Sequence, residues 1–269
     1  MSLLTVTIIQ TALHWEDKQR NLAMLKEKID SIQEYTEVVV LPEMFATGFS
    51  MKPELHAETM DGVVFHWMKD IAASKKIIVT GSVIIEEEGK YYNRLIWMLP
   101  TGAYGYYDKR HLFAFGQEHK HYARGNKRLI ASVKGWKINL QVCYDLRFPV
   151  WARQSKVTYH DENVSAEYDV LIYVANWPER RSIPWRTLLQ ARAIENQTYV
   201  IGVNRVGNDG NDIYHSGDSM VINPLGEILY HKVHEEDVFT ITLQKEVLES
   251  VRNKFPFLRD ADQFIIADE

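Results

Sequence analysis

Residues 137–149 read KINLQVCYDLRFP, an alternating apolar and polar run that leads into the only cysteine of the chain. The alternation over residues 137–142 predicts a β-strand. Cys143 then lies where that strand ends, and α/β sheets bind their ligands at the carboxyl ends of strands. A sharp turn at this point would aim backbone N–H groups, including that of Tyr144, at a developing oxyanion. The stretch therefore predicts a sheet with a thiol placed for chemistry at one strand end.

Strand-like and helix-like segments alternate on both sides of this stretch. Leu22, Leu25 and Ile29 recur at helical spacing, whereas the runs 4–10 and 37–41 are short and rich in β-branched residues. We predict strands at residues 4–10, 37–41, 77–85, 91–99, 137–142, 169–175, 199–204, 216–222 and 237–243. We predict helices at residues 17–33, 61–74 and 182–197. This order, with sheets that need covering helices, predicts a layered α/β architecture.

The composition argues against several classes of function. The chain has 269 residues and a formal net charge of -5, so no basic excess indicates binding to nucleic acid or to an anionic membrane. The single cysteine excludes an internal disulfide and a zinc site of paired cysteines. No apolar run approaches the roughly 20 residues that span a bilayer, and nothing at the start resembles a signal peptide. We therefore expect a cytoplasmic protein with a single domain over residues 1–269.

Three residues could form a hydrolytic site if the fold brings them together. A lone cysteine such as Cys143 is usually an inert small hydrophobe, and its thiol, with a free pKa of about 8.5, needs a base or a cation to react. Glu43 follows the apolar run 38–42, where a buried carboxylate would act as a base or, more simply, form a strand-end salt bridge or a helix cap. Lys109 could stabilise a thiolate and the negative oxygen of a tetrahedral intermediate.

Two other classes of protein fit parts of this pattern. A papain-like hydrolase would pair an early cysteine with a histidine and an asparagine far downstream, and no histidine of this chain has such a spacing. His111, His119 and His121 share one loop, where we expect them to be solvated. A non-catalytic binding protein would not require the cysteine, the glutamate and the lysine to converge.

Three short motifs together resemble the nitrilase superfamily of carbon–nitrogen hydrolases. They are LPE at residues 41–43, DKRHL at 108–112 and CYDLRFP at 143–149, and the similarity continues at residues 174–178, 190–196, 202–207 and 217–219. The resemblance implies a four-layer α-β-β-α sandwich, a catalytic triad of Glu43, Lys109 and Cys143, and a supporting catalytic role for Glu118. It implies no metal and no organic cofactor. It also implies a homodimer or a larger homo-oligomer, with residues 244–269 docking on their own chain or contacting a partner.

Within the superfamily, residues 115–122 and 174–178 are most similar to the ω-amidase branch. Such enzymes hydrolyse the terminal amide of short 2-oxo dicarboxylic acid monoamides, such as 2-oxoglutaramate and 2-oxosuccinamate. The remaining carboxylate of such a substrate needs a cation. We expect Arg147, Tyr122 and Trp177 to bind the substrate, although a structural salt bridge is the simpler role for Arg147. The other candidate cations are Arg180, Arg181 and Lys120. An aliphatic amidase, a carbamoylase or a nitrilase is an alternative activity for the same triad.

Overall fold

The computed structural model describes residues 2–154, 158–160 and 163–266. In chain order its strands are β1 (Leu3–Gln10), β2 (Val38–Val40), β3 (Ile78–Glu87), β4 (Lys90–Met98), β5 (Tyr104–Asp108), β6 (Ile130–Val133), β7 (Trp136–Val142), β8 (Thr158–His160), β9 (Asn163–Ser165), β10 (Val170–Ala175), β11 (Tyr199–Asn204), β12 (Val206–Asn208), β13 (Tyr214–Ile222), β14 (Ile228–Val233) and β15 (Asp237–Gln244). Its α-helices are α1 (Lys18–Asp30), α2 (Pro53–His56), α3 (Val63–Lys75), α4 (Pro149–Ala152), α5 (Ser182–Asn196) and α6 (Lys245–Lys254).

The strands form two large mixed sheets and one short hairpin of β8 and β9. The first sheet has the strand order β15-β1-β2-β3-β4-β5, in which β1, β2 and β3 run parallel. The second sheet has the order β12-β13-β11-β10-β7-β6, with β14 beside β13, and its central strands β7, β10 and β11 run parallel. Each sheet therefore has a parallel centre whose strands end at the same edge.

Side-chain alternation along the strands places the two sheets face to face. Leu4, Val6 and Ile8 of β1 belong to a core that the first sheet shares with the second. Ile9 points the other way, into a separate core beneath α1 and α3. On the far side of the second sheet, α5 buries Trp185 against that sheet. The layers are helix, sheet, sheet and helix, so the predicted four-layer α-β-β-α sandwich is confirmed.

The two sheets bring distant strand ends together. Glu43 follows β2, Lys109 follows β5 and Cys143 follows β7. Asn176, which follows β10 in the second sheet, donates its side-chain N–H to the Glu43 carbonyl oxygen at 2.6 Å, across to the first sheet. The sandwich therefore places side chains from both sheets in one buried cluster.

The predicted strands and helices are all present, with ends that differ by at most three residues. The sequence analysis missed the elements β5, β6, β8, β9, β12, β14, α2, α4 and α6. β5 includes Gly105 and Asp108, which are disfavoured in strands, and its ladder with β4 stabilises it in spite of that composition. The outward-facing β14 shows mostly exposed side chains, so it lacks the apolar run that marks a buried strand.

The chain after β15 packs on its own domain. Helix α6 buries Leu248 and Val251, and Arg252 donates hydrogen bonds to the Asp169 carboxylate at 3.0 Å and the Gln197 carbonyl oxygen at 2.9 Å. Residues 267–269 of the predicted docking segment lie outside the described residues. In the part of the chain that the structure describes, no helix is long and apolar enough to cross a membrane.

Candidate active site

Strand β7 ends in a strained turn at Cys143. The φ angle of Cys143 is +44°, in the left-handed region that residues other than glycine rarely adopt. A 3₁₀ turn, Cys143–Arg147, begins at this residue, and the first N–H groups of such a turn have no acceptor within it. The Tyr144 N–H is one of these groups. The turn therefore places a backbone donor that has no acceptor within the turn next to the thiol.

The buried carboxylate of Asp145 holds this turn in place. It accepts hydrogen bonds from the Val142 N–H at 3.0 Å and the Tyr107 hydroxyl at 2.7 Å. It also accepts from the His111 backbone N–H at 3.0 Å and from His111 Nδ1 at 2.8 Å. Four donors compensate for the lost hydration of the carboxylate. The Cys143 turn is thus tied to the segment that carries Lys109.

The three histidines of this loop differ in their surroundings. His111 is half-buried, bonded to Asp145 and stacked on Phe148 with ring centroids 3.9 Å apart, so the expectation of a solvated side chain is wrong for it. His119 and His121 are exposed, as expected. The sequence did not reveal this difference because the partner of His111 lies 34 residues away.

Glu43 is completely buried and is held by donors from three parts of the chain. Its Oε1 accepts hydrogen bonds from Lys109 Nζ at 2.9 Å and Asn93 Nδ2 at 2.8 Å. Its Oε2 accepts from the Asn176 backbone N–H at 2.7 Å. A carboxylate with three such donors is fixed in orientation, and charge-assisted hydrogen bonds of this kind are strong.

Lys109 lies between the carboxylates of Glu43 and Glu118. Its Nζ is 2.9 Å from Glu43 Oε1 and 3.0 Å from Glu118 Oε1, and all three side chains are fully buried. Burial alone would lower the pKa of Lys109, but the charges of Glu118 and Glu43 raise it above its ordinary value. Burial raises the pKa of Glu118, Lys109 opposes this effect, and Glu43 adds to it. Lys109 therefore stays cationic within the cluster.

The Cys143 thiol is neutral at rest. Burial is the largest cause that raises its pKa well above the ordinary value; the Glu43 charge and a hydrogen bond with Glu43 add to this, and Lys109 opposes it. A neutral thiol beside a carboxylate needs that carboxylate, or another base, to become a nucleophile. The charged groups that act most strongly on the thiol are Glu43, Lys109 and Glu118, and none of them is a histidine. This arrangement disfavours a papain-like site.

A pocket of about 240 Å³ reaches Cys143 from the surface. Its apolar lining includes Phe49, Met51, Phe113, Phe115, Trp177 and Ile213. Its polar lining includes Arg147, Arg180, Arg181, Asp209, Asn211 and His215. An apolar cleft with a few polar groups is typical of a small-molecule site.

Three arginines form one wall of this pocket: Arg147, Arg180 and Arg181. The Arg147 guanidinium lies 5.0 Å from the centre of the Trp177 ring, and that of Arg181 lies 5.1 Å from the centre of the Phe113 ring. Among the described residues, no carboxylate forms an ion pair with any of the three. Burial and the neighbouring Arg180 and Arg147 lower the pKa of Arg181. Within the described part of the chain, the arginine wall therefore carries positive charge without an ion-pair partner, although Asp209 also lines the pocket.

His215 is a buried, neutral member of the same pocket. Its Nδ1 lies 2.9 Å from the Ile213 carbonyl oxygen and 3.3 Å from that of Gly207, so this nitrogen carries the proton. Burial, with a contribution from Arg205, lowers the pKa of His215 to about 4. It is consequently uncharged near neutral pH.

Residues 5–253 match the family described as carbon-nitrogen hydrolase. The chain belongs to this family. The nitrilase-superfamily resemblance of the motifs at residues 41–43, 108–112 and 143–149 is confirmed.

Similar proteins of the family extend over nearly the whole chain. The omega-amidase YafV of Escherichia coli strain K12 is 43% identical over 262 residues, which are 97% of this chain and 98% of that protein. The 2-oxoglutaramate amidase of Bacillus subtilis strain 168 is 28% identical over 259 residues, 95% of this chain and 96% of that protein. The crystal structure of a carbon–nitrogen hydrolase superfamily protein from Xanthomonas campestris superposes with a TM-score of 0.94 at 42% identity, covering 99% of this chain and 100% of that one.

Two residues that we expected near the substrate do not line the pocket. Tyr122 is buried behind it, and its hydroxyl donates to the Ser50 carbonyl oxygen at 2.6 Å, so this donor is already used. Lys120 is exposed and outside the lining. The simpler role for Arg147, a structural salt bridge, does not fit either, because no described carboxylate pairs with it. Trp177 and Arg147 do line the pocket.

The structure adds three polar residues to the cluster that sequence reasoning did not single out: Asn93, Asp145 and Asn176. Asn93 lies inside β4, where asparagine is disfavoured, and that mismatch was the available signal. Asn176 follows a buried strand, as Glu43 does. In the described residues, no group of three or more His, Cys, Asp or Glu side chains could hold a metal ion.

Proposed function

We propose that this chain is an ω-amidase that hydrolyses the terminal amide of a short 2-oxo dicarboxylic acid monoamide, such as 2-oxoglutaramate, to the acid and ammonia. The similarity to the omega-amidase of Escherichia coli and the 2-oxoglutaramate amidase of Bacillus subtilis supports this activity. The observation that carries it for this chain is the wall of three arginines in the pocket that contains Cys143, none of which pairs with a carboxylate among the described residues. A half-buried cation without a carboxylate partner favours an anionic ligand.

In the first half of the proposed reaction, the Glu43 carboxylate takes the thiol proton while Cys143 Sγ attacks the amide carbonyl carbon. The oxygen of the tetrahedral intermediate becomes negative, and the Tyr144 N–H and the Lys109 ammonium stabilise it. The C–N bond then breaks, and Glu43 returns its proton to the departing nitrogen. Ammonia leaves, and the acyl group stays on Cys143 as a thioester.

In the second half, a water molecule attacks the thioester carbonyl carbon while Glu43 takes a proton from that water. The same donors stabilise the second tetrahedral intermediate. The C–S bond breaks, the acid is released, and Glu43 returns the proton to the sulfur. Glu118, bonded to Lys109 at 3.0 Å, would keep the ammonium in place through both halves.

At the far end of the substrate, the arginine wall would bind the remaining carboxylate. Arg147 and Arg181 are half-buried, whereas Arg180 is exposed, so we assign the main contacts to the first two. A guanidinium offers two parallel donors that match a carboxylate. Trp177, stacked on Arg147, would orient that guanidinium. An α-ammonium group, as in glutamine, would be repelled by this wall.

An ammonia-release screen tests the proposed activity. The substrates are 2-oxoglutaramate, 2-oxosuccinamate, glutamine, asparagine, a neutral short amide and a simple nitrile, with Cys143→Ala as the blank. We expect the highest kcat/KM for the two 2-oxo monoamides. Faster turnover of the neutral amide or of the nitrile would contradict the assignment and indicate an aliphatic amidase or a nitrilase.

We also propose a homo-oligomer, at least a dimer. Large apolar side chains are exposed along α5 and the adjoining turn, where Ile183 is 70%, Ile194 55% and Leu225 50% exposed. The segment 244–269 would serve mainly to dock on its own chain, because α6 buries its apolar face there. Sedimentation velocity measures the assembly, and a monomer at micromolar concentration would contradict this proposal. The cytoplasmic location stays a prediction.

A further inference from the structure

Asn93 occupies a position that its strand alone does not explain. It lies inside β4 and is completely buried. Its Nδ2 lies 2.8 Å from Glu43 Oε1 and 3.2 Å from Glu118 Oε1, so the single amide group donates to both carboxylates. Its Oδ1 is buried and has no hydrogen-bond partner among the described residues, which costs free energy. An apolar residue would avoid that cost, so the benefit of the asparagine lies in its two N–H donors.

The two oxygens that Asn93 bridges are the same two that Lys109 bridges. Lys109 Nζ lies 2.9 Å from Glu43 Oε1 and 3.0 Å from Glu118 Oε1. The cluster therefore combines two carboxyl groups with a single ammonium, all of them fully buried. Two carboxylates that share a site oppose each other's ionisation. Lys109 neutralises one charge, and uncharged donors stabilise the other: the backbone N–H groups of Asn176 and Phe113 each bond one outer oxygen, and of these donors Asn93 alone bridges the two inner ones.

Asn93 is also joined to Lys109 through the backbone. Its carbonyl oxygen accepts the Lys109 N–H at 3.0 Å, immediately beyond the ladder between β4 and β5. The asparagine is thus fixed relative to both the cation and the two carboxylates. The titratable groups that face Glu43 are Lys109, Glu118, Cys143 and the Tyr122 hydroxyl.

We propose that Asn93 is a positioning residue for the reaction, whose amide bridges Glu43 and Glu118 and so keeps Glu43 ionised and aimed at the Cys143 thiol. This inference rests on the base role of Glu43 in the proposed function. Asn93 does not line the pocket and does not contact the substrate. Its effect is therefore on the rate of the chemical steps and on the pH at which Glu43 can accept a proton.

The hydrogen bond that Asn93 donates to Glu43 determines how removal of Asn93 should change the pH dependence of activity. Asn93 stabilises the ionised form of Glu43, so its removal favours the protonated form and raises the pH at which the base is lost. The acidic limb of the kcat/KM profile should move upward by about one pH unit, since a hydrogen bond to a charged group is worth roughly one such unit or more. At pH values well below the wild-type limb, kcat should fall about tenfold, with KM unchanged.

The test uses Asn93→Leu, which keeps the approximate size and removes the donors. Asn139→Leu is the matched control, because Asn139 is also fully buried in a strand but its side chain has no hydrogen-bond partner among the described residues. We expect the acidic limb of the kcat/KM profile to move to higher pH in Asn93→Leu and to keep its wild-type position in Asn139→Leu. A purely structural role would lower activity equally at every pH. If Asn93→Leu does not fold, Asn93→Ser is measured instead, and a limb at the wild-type pH in a folded variant overturns the proposal.

Infrared titration separates this inference from the proposed substrate. The absorption of protonated carboxyl groups is followed against pH in the wild type, in Asn93→Leu and in each protein with Glu43→Gln added. We expect a component that Glu43→Gln removes, and that appears at higher pH in Asn93→Leu. This shift without ammonia release from 2-oxoglutaramate would contradict the proposed activity and support the role of Asn93. Ammonia release from 2-oxoglutaramate, together with an infrared component that appears at the same pH in both proteins, would support the proposed activity and contradict the role of Asn93.

Discussion

Two groups of residues near the thiol differ in how their charges are compensated. The floor is Cys143 with the buried cluster beside it, and the wall is the row of three arginines that lines the pocket. On the floor, Glu43, Lys109 and Glu118 are fully buried, and the single ammonium of Lys109 forms an ion pair with both carboxylates. On the wall, Arg147 and Arg181 are half-buried and have no described carboxylate partner. A buried charge is tolerated only when it is compensated. The comparison teaches that the charges beside the thiol are already hydrogen-bonded within the protein, whereas in the proposed function the carboxylate of the substrate would pair with the wall.

Removal of the nucleophile should have the largest effect on the floor. Cys143→Ala leaves the ion-paired cluster intact, so the variant should fold with a denaturation midpoint near that of the wild type. Loss of a nucleophile removes the acyl intermediate, and kcat should fall by at least about 10⁴-fold. Rapid-quench mass spectrometry of the wild type with a slow substrate should show an acyl adduct on Cys143. Robust turnover by Cys143→Ala would end the thioester mechanism.

Glu43→Gln should separate base catalysis from thiol ionisation. General-base loss typically costs about 10²–10⁴ in rate. The thiol pKa should nevertheless fall, because burial raises it and the Glu43 charge and hydrogen bond raise it further, while Lys109 lowers it. Thiolate absorbance of the only cysteine should then develop at lower pH in Glu43→Gln than in the wild type.

Lys109→Met is the matched variant for that titration. It removes the cation that lowers the thiol pKa, so thiolate should form at higher pH than in the wild type. It also leaves two buried carboxyl groups without their ammonium, and we expect a loss of stability together with a severe loss of kcat. A thiol pKa that shifts in the same direction in both variants would contradict the opposite effects that we assign to Glu43 and Lys109.

Tyr122→Phe should have the smallest effect, because this residue supports the floor from behind. Its hydroxyl donates to the Ser50 carbonyl oxygen at 2.6 Å, and loss of one such hydrogen bond costs about 1 kcal/mol of unfolding free energy. Both kcat and KM for 2-oxoglutaramate should stay within a few-fold of the wild type. Urea denaturation measures the first quantity. A large rise in KM would contradict this supporting role and indicate that Tyr122 contacts the substrate.

The sequence predicted the floor better than the wall. Cys143 and Glu43 lie at the ends of apolar strands, and strand patterns are local, so their placement at sheet edges could be inferred from alternation and run length alone. The resemblance of short motifs then joined them to Lys109 and Glu118. Their common site needed the sandwich, which brings the ends of two sheets together.

The wall and the supporting residues depend on contacts that sequence patterns do not record. The sequence is compatible with a structural or a binding role for Arg147, and the absence of a described carboxylate partner favours the proposed binding role. Tyr122 is adjacent to the right motif, yet its hydroxyl turns to Ser50. Asn93 acts through carboxylates 25 and 50 residues away, so nothing in its neighbourhood in the sequence indicates its partners.

The central claim is that the arginine wall binds the carboxylate of the substrate and that the floor does not. The most direct measurement is the ratio of kcat/KM for 2-oxoglutaramate to that for a neutral amide of similar length, in the wild type, Arg147→Gln and Arg181→Gln. Arg186→Gln is the control, since Arg186 lies on α5 outside the pocket lining. Loss of a charged hydrogen-bond partner should lower the ratio about 30- to 1,000-fold in at least one wall variant and leave it unchanged in the control. Equal losses on both substrates in both wall variants would contradict the account.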